Sequence, residues 1–217
     1  MLHGILNEQE RLKLNQRTVE VEQRTGAQIV LAVITRSDIY AELPWKAFAL
    51  GSSVASLIVS LLSQAPTSWS SGSEILQAVV MVLACGAACA LICVYMPGFA
   101  RLFLSTHRAE VEVHQHAMSL FLAHELFATR QRTGVLLLIS LFERRVVVLP
   151  DTGIGKRLSQ NAMQDIIARM TAALANRQVV RALEEGLSVV EQVLAATASG
   201  GAGEHDLSDK IIEEKSS

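Results

Sequence analysis

A long block almost without charge interrupts an otherwise ordinary sequence. Residues 47–100 contain one of the chain's 21 acidic residues, Glu74, and none of its 19 basic residues. A bilayer core is about 30 Å thick and is crossed by roughly 20 helical residues, and the uncharged run on each side of Glu74 is that long. The block therefore predicts two transmembrane helices, near residues 46–64 and 76–97. The alternative is a buried hairpin in a water-soluble protein.

The residues around the block predict its orientation. The connection between the two helices contains Pro66 with several serines and a glycine, which favour a turn, and it has no Lys or Arg. Basic residues flank the block on both sides: Arg36, Lys46, Arg101 and Arg108. Because basic residues stay in the cytoplasm, we expect a two-pass protein of a bacterial inner (plasma) membrane, with both termini cytoplasmic and the lipid bilayer as a partner. Residues 1–25 agree, since they are charged and amphipathic and lack the apolar core of a signal peptide.

Two stripes of small residues run along the predicted membrane helices. One consists of Ser52, Ser56 and Ser60, and the other of Cys85, Cys89 and Cys93. Residues four apart share one face of a helix, and small residues allow two membrane helices to approach closely. We therefore expect both stripes to serve packing, with a homo-oligomer possible. The alternative for the cysteines is a metal or redox role.

The two flanks of the block carry alternating helix and strand patterns. Asn7 followed by Glu10 predicts the start of a helix that ends at Gly26. The later elements are a strand at 28–35, a long amphipathic helix within 104–130, strands at 135–140 and 145–150 joined as an antiparallel hairpin, and helices near 158–175 and 179–197. Neither flank has enough strands to be stable alone. They are therefore predicted to share one small mixed sheet.

These patterns give a map of the whole chain. Residues 1–45 and 101–197 form the two parts of one α/β domain, and residues 46–100 form the membrane hairpin between them. Residues 198–217 are rich in glycine and polar residues and predict a flexible tail. A short helix at 207–214 that forms on binding is the alternative for this tail.

Three motifs in the second flank resemble the TPM domain. They are residues 132–137 (RTGVLL), 143–148 (ERRVVV) and 151–155 (DTGIG), and residues 22–35 resemble the helix and strand that open the domain. The resemblance covers roughly residues 8–36 and 105–196. It implies a three-layer α/β/α sandwich, here interrupted by the membrane hairpin, together with membrane association. For some members it also implies acid phosphatase activity and divalent-metal binding, but this chain has Ala162 in a segment where the family typically carries an aspartate.

The loop after the last predicted strand is the main candidate site. Its candidates for binding an anion or a metal are Asp151, Thr152, Gly153, Gly155 and Lys156. A phosphate-binding loop of the nucleotide-hydrolase type is disfavoured, because the spacing differs and Arg157 replaces the hydroxyl that would hold magnesium. The simpler interpretation is a tight turn that needs glycine for a positive φ. Asp38, after the first strand, could converge with Asp151 on calcium or magnesium.

Other residues give weaker indications of chemistry. His107, Glu110 and His114 could collect zinc on one helix face, although a solvated polar stripe explains them as well. His124 is interpreted as a hydrogen-bonded core histidine. A formal net charge of -2 and 5% aromatic residues argue against nucleic acid as a partner.

The sequence thus contains a coherent fold without a complete reactive constellation. It predicts a membrane protein whose cytoplasmic domain is a non-catalytic binding or assembly module for an unidentified membrane or cytoplasmic protein. The alternative is a weak metal-assisted phosphomonoesterase that uses Asp38 and Asp151. A transporter or channel is disfavoured, since the predicted spans lack ionisable residues along a path.

Overall fold

The structure, a computed structural model, describes residues 6–63, 72–197 and 212–214. The chain divides into two compact units. One consists of residues 1–38 and 109–217 and is called the sheet domain; the other, residues 39–108, is called the hairpin unit. The helices are α1 (Glu8–Thr25), α2 (Glu42–Leu62), α3 (Gly72–Tyr95), α4 (Pro97–Ala100), α5 (Thr106–Ala123), α6 (Thr152–Gly155), α7 (Gln160–Ala175) and α8 (Val179–Thr197). Two 3-10 turns, Arg101–Phe103 and Leu126–Ala128, follow α4 and α5.

The two flanks of the hairpin share one mixed sheet. Its strands are β1 (Gln28–Ile34), β2 (Gly134–Ser140), β3 (Arg145–Pro150) and β4 (Ile212–Glu214), in the order β3-β2-β1-β4. β1 is parallel to β2 over its whole length, from Gln28 beside Gly134 to Ile34 beside Ser140. β2 and β3 form the predicted antiparallel hairpin. The prediction that the flanks complete a common sheet is confirmed.

β4 corrects part of the prediction for the C-terminal tail. Residues 212–214 pair in parallel with Ala32–Ile34 of β1, so these three residues form a strand rather than a flexible segment or a helix. A strand of three residues is too short to show a recognisable alternation of side chains. The remainder of the predicted tail and helix, residues 198–211 and 215–217, lies outside the described part of the chain.

Helices cover both faces of the sheet. Successive side chains of a strand point to opposite faces, and in β1 the residues Ile29, Leu31 and Val33 face a core shared with α1, α7 and α8. Val30, Ala32 and Ile34 face a second core, which Val113 and Ala117 of α5 complete. The sheet domain therefore has the three-layer α/β/α arrangement that the resemblance implies.

Local signals set both ends of α1, whereas the end of α5 has no such signal. The Glu10 side chain accepts a hydrogen bond from the Asn7 backbone N–H at 2.7 Å, and Gly26 ends α1 in the left-handed conformation. The predicted long helix within 104–130 is wrong in its last part, because α5 ends at Ala123. Glu125 adopts a φ of 51°, which interrupts the helix. Positive φ is uncommon for residues other than glycine, so the sequence gives no sign of it here.

The hairpin unit contains two helices long and apolar enough to cross a membrane. The most apolar windows of α2 and α3 are 17% and 11% buried, respectively. A core helix of a soluble protein would be mostly buried, so this exposure argues against the buried-hairpin alternative. A Cβ atom at Gly51 would lie 2.7 Å from Cys89 Sγ, and one at Gly86 would lie 2.2 Å from Ser52 Oγ. The two helices therefore approach each other through glycines.

The predicted stripes contribute unequally to this contact. Ala47, Gly51 and Ala55 belong to the buried face of α2, whereas Ser56 and Ser60 are exposed, so within this chain Ser52 is the member of the serine stripe that packs against α3. Cys93 is buried, Cys89 is half-buried and Cys85 is exposed. A stripe of period four shows which residues share a face but does not show which face packs.

Candidate functional site

The loop after β3 is held in place by its own first residue. Asp151 is buried, and its Oδ1 accepts a hydrogen bond from the Thr152 backbone N–H at 2.7 Å, which caps the short helix α6. The Asp151 backbone N–H donates to the Gly134 carbonyl at 2.8 Å. Asp151 therefore caps α6 with its carboxylate and ties the loop to the start of β2 with its backbone N–H.

Gly153 is required by a close backbone approach. A Cβ atom at this position would lie 2.2 Å from the Gln131 carbonyl oxygen and 2.5 Å from that of Arg132. At Gly155, by contrast, a Cβ atom would meet no described atom within 4 Å. Neither glycine is among the described residues with positive φ. The tight-turn interpretation therefore holds for Gly153, but its reason is contact and not a left-handed backbone.

The backbone donors of this loop are largely used within the protein. Thr152 N–H donates to the Asp151 carboxylate, Gly153 N–H to the Arg132 carbonyl at 2.9 Å, and Gly155 N–H to the Asp151 carbonyl at 2.7 Å. Lys156 is exposed at the end of α6, while Arg157 donates to the Leu194 carbonyl of α8 at 3.0 Å. The loop geometry therefore does not favour the anion-binding interpretation.

One carboxylate oxygen of Asp151 is only electrostatically satisfied. Asp151 Oδ2 is buried and has no hydrogen-bond partner within the described residues. It forms an ion pair with Arg132, whose Nη1 lies 3.7 Å away and donates to the Phe127 carbonyl at 2.9 Å. This arrangement leaves an acceptor at the edge of the loop.

An apolar groove of about 450 Å³ borders this acceptor. Its walls are Met118, Phe121 and Leu122 of α5, then Phe127, and then Leu149 and Pro150 of β3, and Arg132, Asp151 and Thr152 lie at its polar end. Met118, Leu122 and Phe127 are exposed although they are large and apolar. A mainly apolar groove with few polar groups is the usual form of a binding site. The sequence after β3 predicted only the polar end of the groove, because much of the apolar wall comes from α5, which is distant in the sequence.

The predicted calcium or magnesium site of Asp38 and Asp151 is wrong. Residue 38 follows the end of β1, which lies beside Ser140 at the end of β2, whereas Asp151 lies beside Gly134 at the start of β2. The seven residues of β2 separate the two aspartates by about 20 Å. Because β3 runs antiparallel to β1 and β2, its carboxyl end lies at the end of the sheet opposite to the carboxyl ends of β1 and β2.

The zinc and cysteine alternatives gain no support from the geometry. Within residues 6–63, 72–197 and 212–214, no group of three or more His, Cys, Asp or Glu side chains could hold a metal ion. This applies both to His107, Glu110 and His114 and to the three cysteines. His124 is half-buried just after α5, so it is not the core histidine that the sequence predicts.

Glu143 is a buried carboxylate that the sequence analysis missed. Its Oε1 accepts from the Ser37 backbone N–H at 3.0 Å and from Ser37 Oγ at 2.6 Å, and its Oε2 accepts from Ser140 Oγ. Arg36 lies 4.2 Å above the Phe142 ring beside it. Glu143 thus ties the segment after β1 to the turn between β2 and β3. In the sequence Glu143 stands beside Arg144 and Arg145 in a short turn, where a charged residue is expected to be exposed.

A second set of charges ties α1 to α8. Glu191 of α8 binds Arg17 at 2.5 Å and Arg24 at 2.7 Å, and Lys13 binds Glu184 at 2.7 Å. Burial raises the pKa of Glu191, but the hydrogen bond from Arg24 and the charges of Arg17 and Arg24 lower it by more, so the net pKa lies below its ordinary value. These pairs join the segment before the hairpin to the segment after it.

Part of the sheet domain matches a known protein family. Residues 102–193 match the family model described as the TPM domain. This chain contains a TPM domain. The match includes β2, β3 and the helices after them, while β1, which pairs with β2, lies outside the matched residues.

A solved structure has a fold similar to that of this chain. The NMR structure of the BA42 protein from the psychrophilic bacterium Bizionia argentinensis matches with a TM-score of 0.59 and 12% sequence identity, over 98% of this chain and 98% of that chain. At this identity the likeness concerns the fold alone. No curated protein sequence matches the chain significantly.

Proposed function

We propose that this protein is a two-pass inner-membrane protein whose TPM domain acts in the cytoplasm as a non-catalytic binding or assembly module. The observation that carries the proposal is the parallel pairing of β1 with β2 over all seven residues. β1 precedes the apolar hairpin and β2 follows it, so the two flanks can share a sheet only on one side of a membrane. Two spans permit this, and one span would not.

The apolar groove supports a binding role for the sheet domain. Met118, Leu122 and Phe127 expose apolar area beside Arg132 and Asp151, which could orient a bound segment by charge and hydrogen bonding. The partner that fits is a protein segment with an apolar face and a polar group at one end. The phosphomonoesterase alternative relied on Asp38 and Asp151 acting on one metal, and the sheet register separates these residues.

Site-specific photocrosslinking in cells tests the binding role. A photoreactive phenylalanine at Leu122 should give a discrete crosslinked protein band, and the added substitution Phe127→Ser should remove it. Leu12 of α1 provides a matched control, since it is exposed to 61% and Leu122 to 57%. No band from Leu122, or the same bands from both positions, would contradict the proposed groove.

Two further measurements address the rest of the proposal. The protein should stay in the membrane pellet after alkaline carbonate washing and enter solution only with detergent. Purified protein should give no turnover of a generic phosphate ester above the level of its Asp151→Asn variant. Robust turnover that Asp151→Asn abolishes would refute the non-catalytic role.

A further inference from the structure

Large aromatic and apolar side chains are exposed at one end of the hairpin unit. Trp45 is 73% exposed near the start of α2, Tyr95 is 79% exposed at the end of α3, and Leu102 is 76% exposed in the 3-10 turn after α4. α2 and α3 form a helical hairpin, so the start of α2 and the end of α3 lie at the same end. Trp and Tyr are the residues enriched where membrane helices leave the hydrocarbon region.

The segment after α3 packs beside the start of α2. Met96 is extended and Pro97 occupies the first turn of α4, which ends α3 and starts a new helical segment. α4 and the 3-10 turn both contact α2, and Lys46 Nζ donates to the Phe103 carbonyl at 3.3 Å. One side of this segment is buried through Ala100, while Leu102 points outward. Residues 97–103 are therefore held beside the start of α2, with Leu102 exposed at the level of Trp45.

Positive charge accompanies these exposed side chains. Arg108 is balanced by Glu42, whose Oε1 lies 2.9 Å from its Nη1. Lys46 differs, because its hydrogen bond goes to a neutral carbonyl and leaves its charge uncompensated by that contact. Arg101 lies in the segment 97–103 and is half-buried. Basic residues at this level of a membrane protein attract the phosphates of anionic lipids.

We propose that residues 39–46 and 95–103 form an interfacial collar that binds anionic phospholipid headgroups. Trp45, Tyr95 and Leu102 enter the boundary between headgroups and acyl chains, and Lys46 contacts the lipid phosphates. The collar rests on the proposed membrane hairpin and adds to it a lipid class and a fixed depth.

Tryptophan depth measurements in nanodiscs test the collar. The chain has two tryptophans, Trp45 and Trp69, so Trp69→Phe leaves Trp45 as the reporter. Lipids brominated near the headgroup should quench Trp45 more strongly than lipids brominated near the bilayer centre. In a background with Trp45→Phe and Trp69→Phe, Leu102→Trp should show the same order, and the control Leu12→Trp on polar helix α1 should show no quenching. Strongest quenching of Trp45 by the deepest bromines, or none at all, would overturn the collar.

A second measurement tests the lipid class. Energy transfer from Trp45 to a dansyl-labelled anionic lipid should exceed transfer to a dansyl-labelled zwitterionic lipid, with a local enrichment of about fivefold per basic residue near the surface. Lys46→Gln should reduce this enrichment, and equal transfer to both lipids would overturn the anionic preference. Failure of the membrane hairpin is distinguishable, since the protein would then not enter nanodiscs. Failure of the collar alone leaves the protein in nanodiscs with Trp45 at another depth.

Discussion

Gly153 offers a sharp test of the loop geometry, because a matched glycine lies two residues away. Replacing Gly153 with alanine places a Cβ atom 2.2 Å from one carbonyl oxygen and 2.5 Å from another. Both oxygens belong to the backbone of residues 131 and 132, which cannot rotate away as a side chain would. The same substitution at Gly155 meets no atom within 4 Å in the described part of the chain.

The two substitutions should change the free energy of unfolding differently. Forcing extra atoms into a packed site costs about 1–3 kcal/mol, and backbone contacts this short place Gly153→Ala near the upper end, at about 3 kcal/mol. Since every 1.4 kcal/mol is a factor of about ten, the population of the open sheet should rise roughly a hundredfold. Gly155→Ala should be neutral or stabilising by about 0.4–1 kcal/mol, because alanine restricts the unfolded chain at no cost in contacts.

Hydrogen exchange followed by mass spectrometry is the suitable assay. All four Trp and Tyr residues lie within residues 40–95, so fluorescence would report on the hairpin unit rather than on the sheet. Amides of β2 should exchange roughly a hundredfold faster in Gly153→Ala and no faster in Gly155→Ala. Equal protection of β2 in the two variants would refute the contact that we assign to Gly153.

Three other predictions concern the charges and contacts around the sheet and the hairpin. Glu191→Gln should destabilise the protein by about 2 kcal/mol at neutral pH in urea unfolding. Because the pKa of Glu191 is lowered in the folded state, this difference should persist above the ordinary carboxylate pKa and vanish as the pH falls through the lowered value; a difference that grows in acid would contradict the assignment. Gly51→Val should separate α2 from α3 and increase modification of buried Cys93 by a lipid-soluble maleimide. Gly98→Val is the control and should have no effect, since a Cβ atom there has open space among the described residues. Glu143→Gln should speed amide exchange in the segment just after β1, and unchanged exchange would show that the carboxylate does not hold that segment.

Local patterns in the sequence predicted most of the fold. The β-branched runs marked β1, β2 and β3 nearly to the residue, and Asn7, Glu10 and Gly26 marked the ends of α1. The common sheet followed from the small number of strands in each flank. These inferences depend on neighbouring residues and on total strand count, both of which a single sequence contains.

The candidate site depended on long-range geometry that the sequence does not contain. Asp38 and Asp151 would meet only if β1 ran parallel to β3. β1 runs parallel to β2, and β2 runs antiparallel to β3, so β1 and β3 run in opposite directions. The long connection between β1 and β2 allows either direction, so no local pattern decides it. The apolar wall of the groove likewise comes from α5, whose exposed Met118 and Leu122 look like an ordinary extension of its buried face. The contact between Gly51 and Cys89 was not predicted, because the sequence analysis assigned the packing face of α2 to the serines. The helices instead approach at Gly51, which has no side chain.

The central claim is that both flanks of the hairpin lie on the cytoplasmic side and form one sheet. Labelling single engineered cysteines with an impermeant maleimide tests it most directly, using Leu12→Cys before the hairpin, Gln192→Cys after it and Trp69→Cys between the spans. Positions 12 and 192 are exposed, and the parent chain, whose three cysteines lie in the hairpin, gives the background. We predict that intact cells label only position 69, and that positions 12 and 192 react together once the inner membrane is permeabilised. Labelling of either position 12 or position 192 alone in intact cells would place the flanks on opposite sides and contradict the shared sheet.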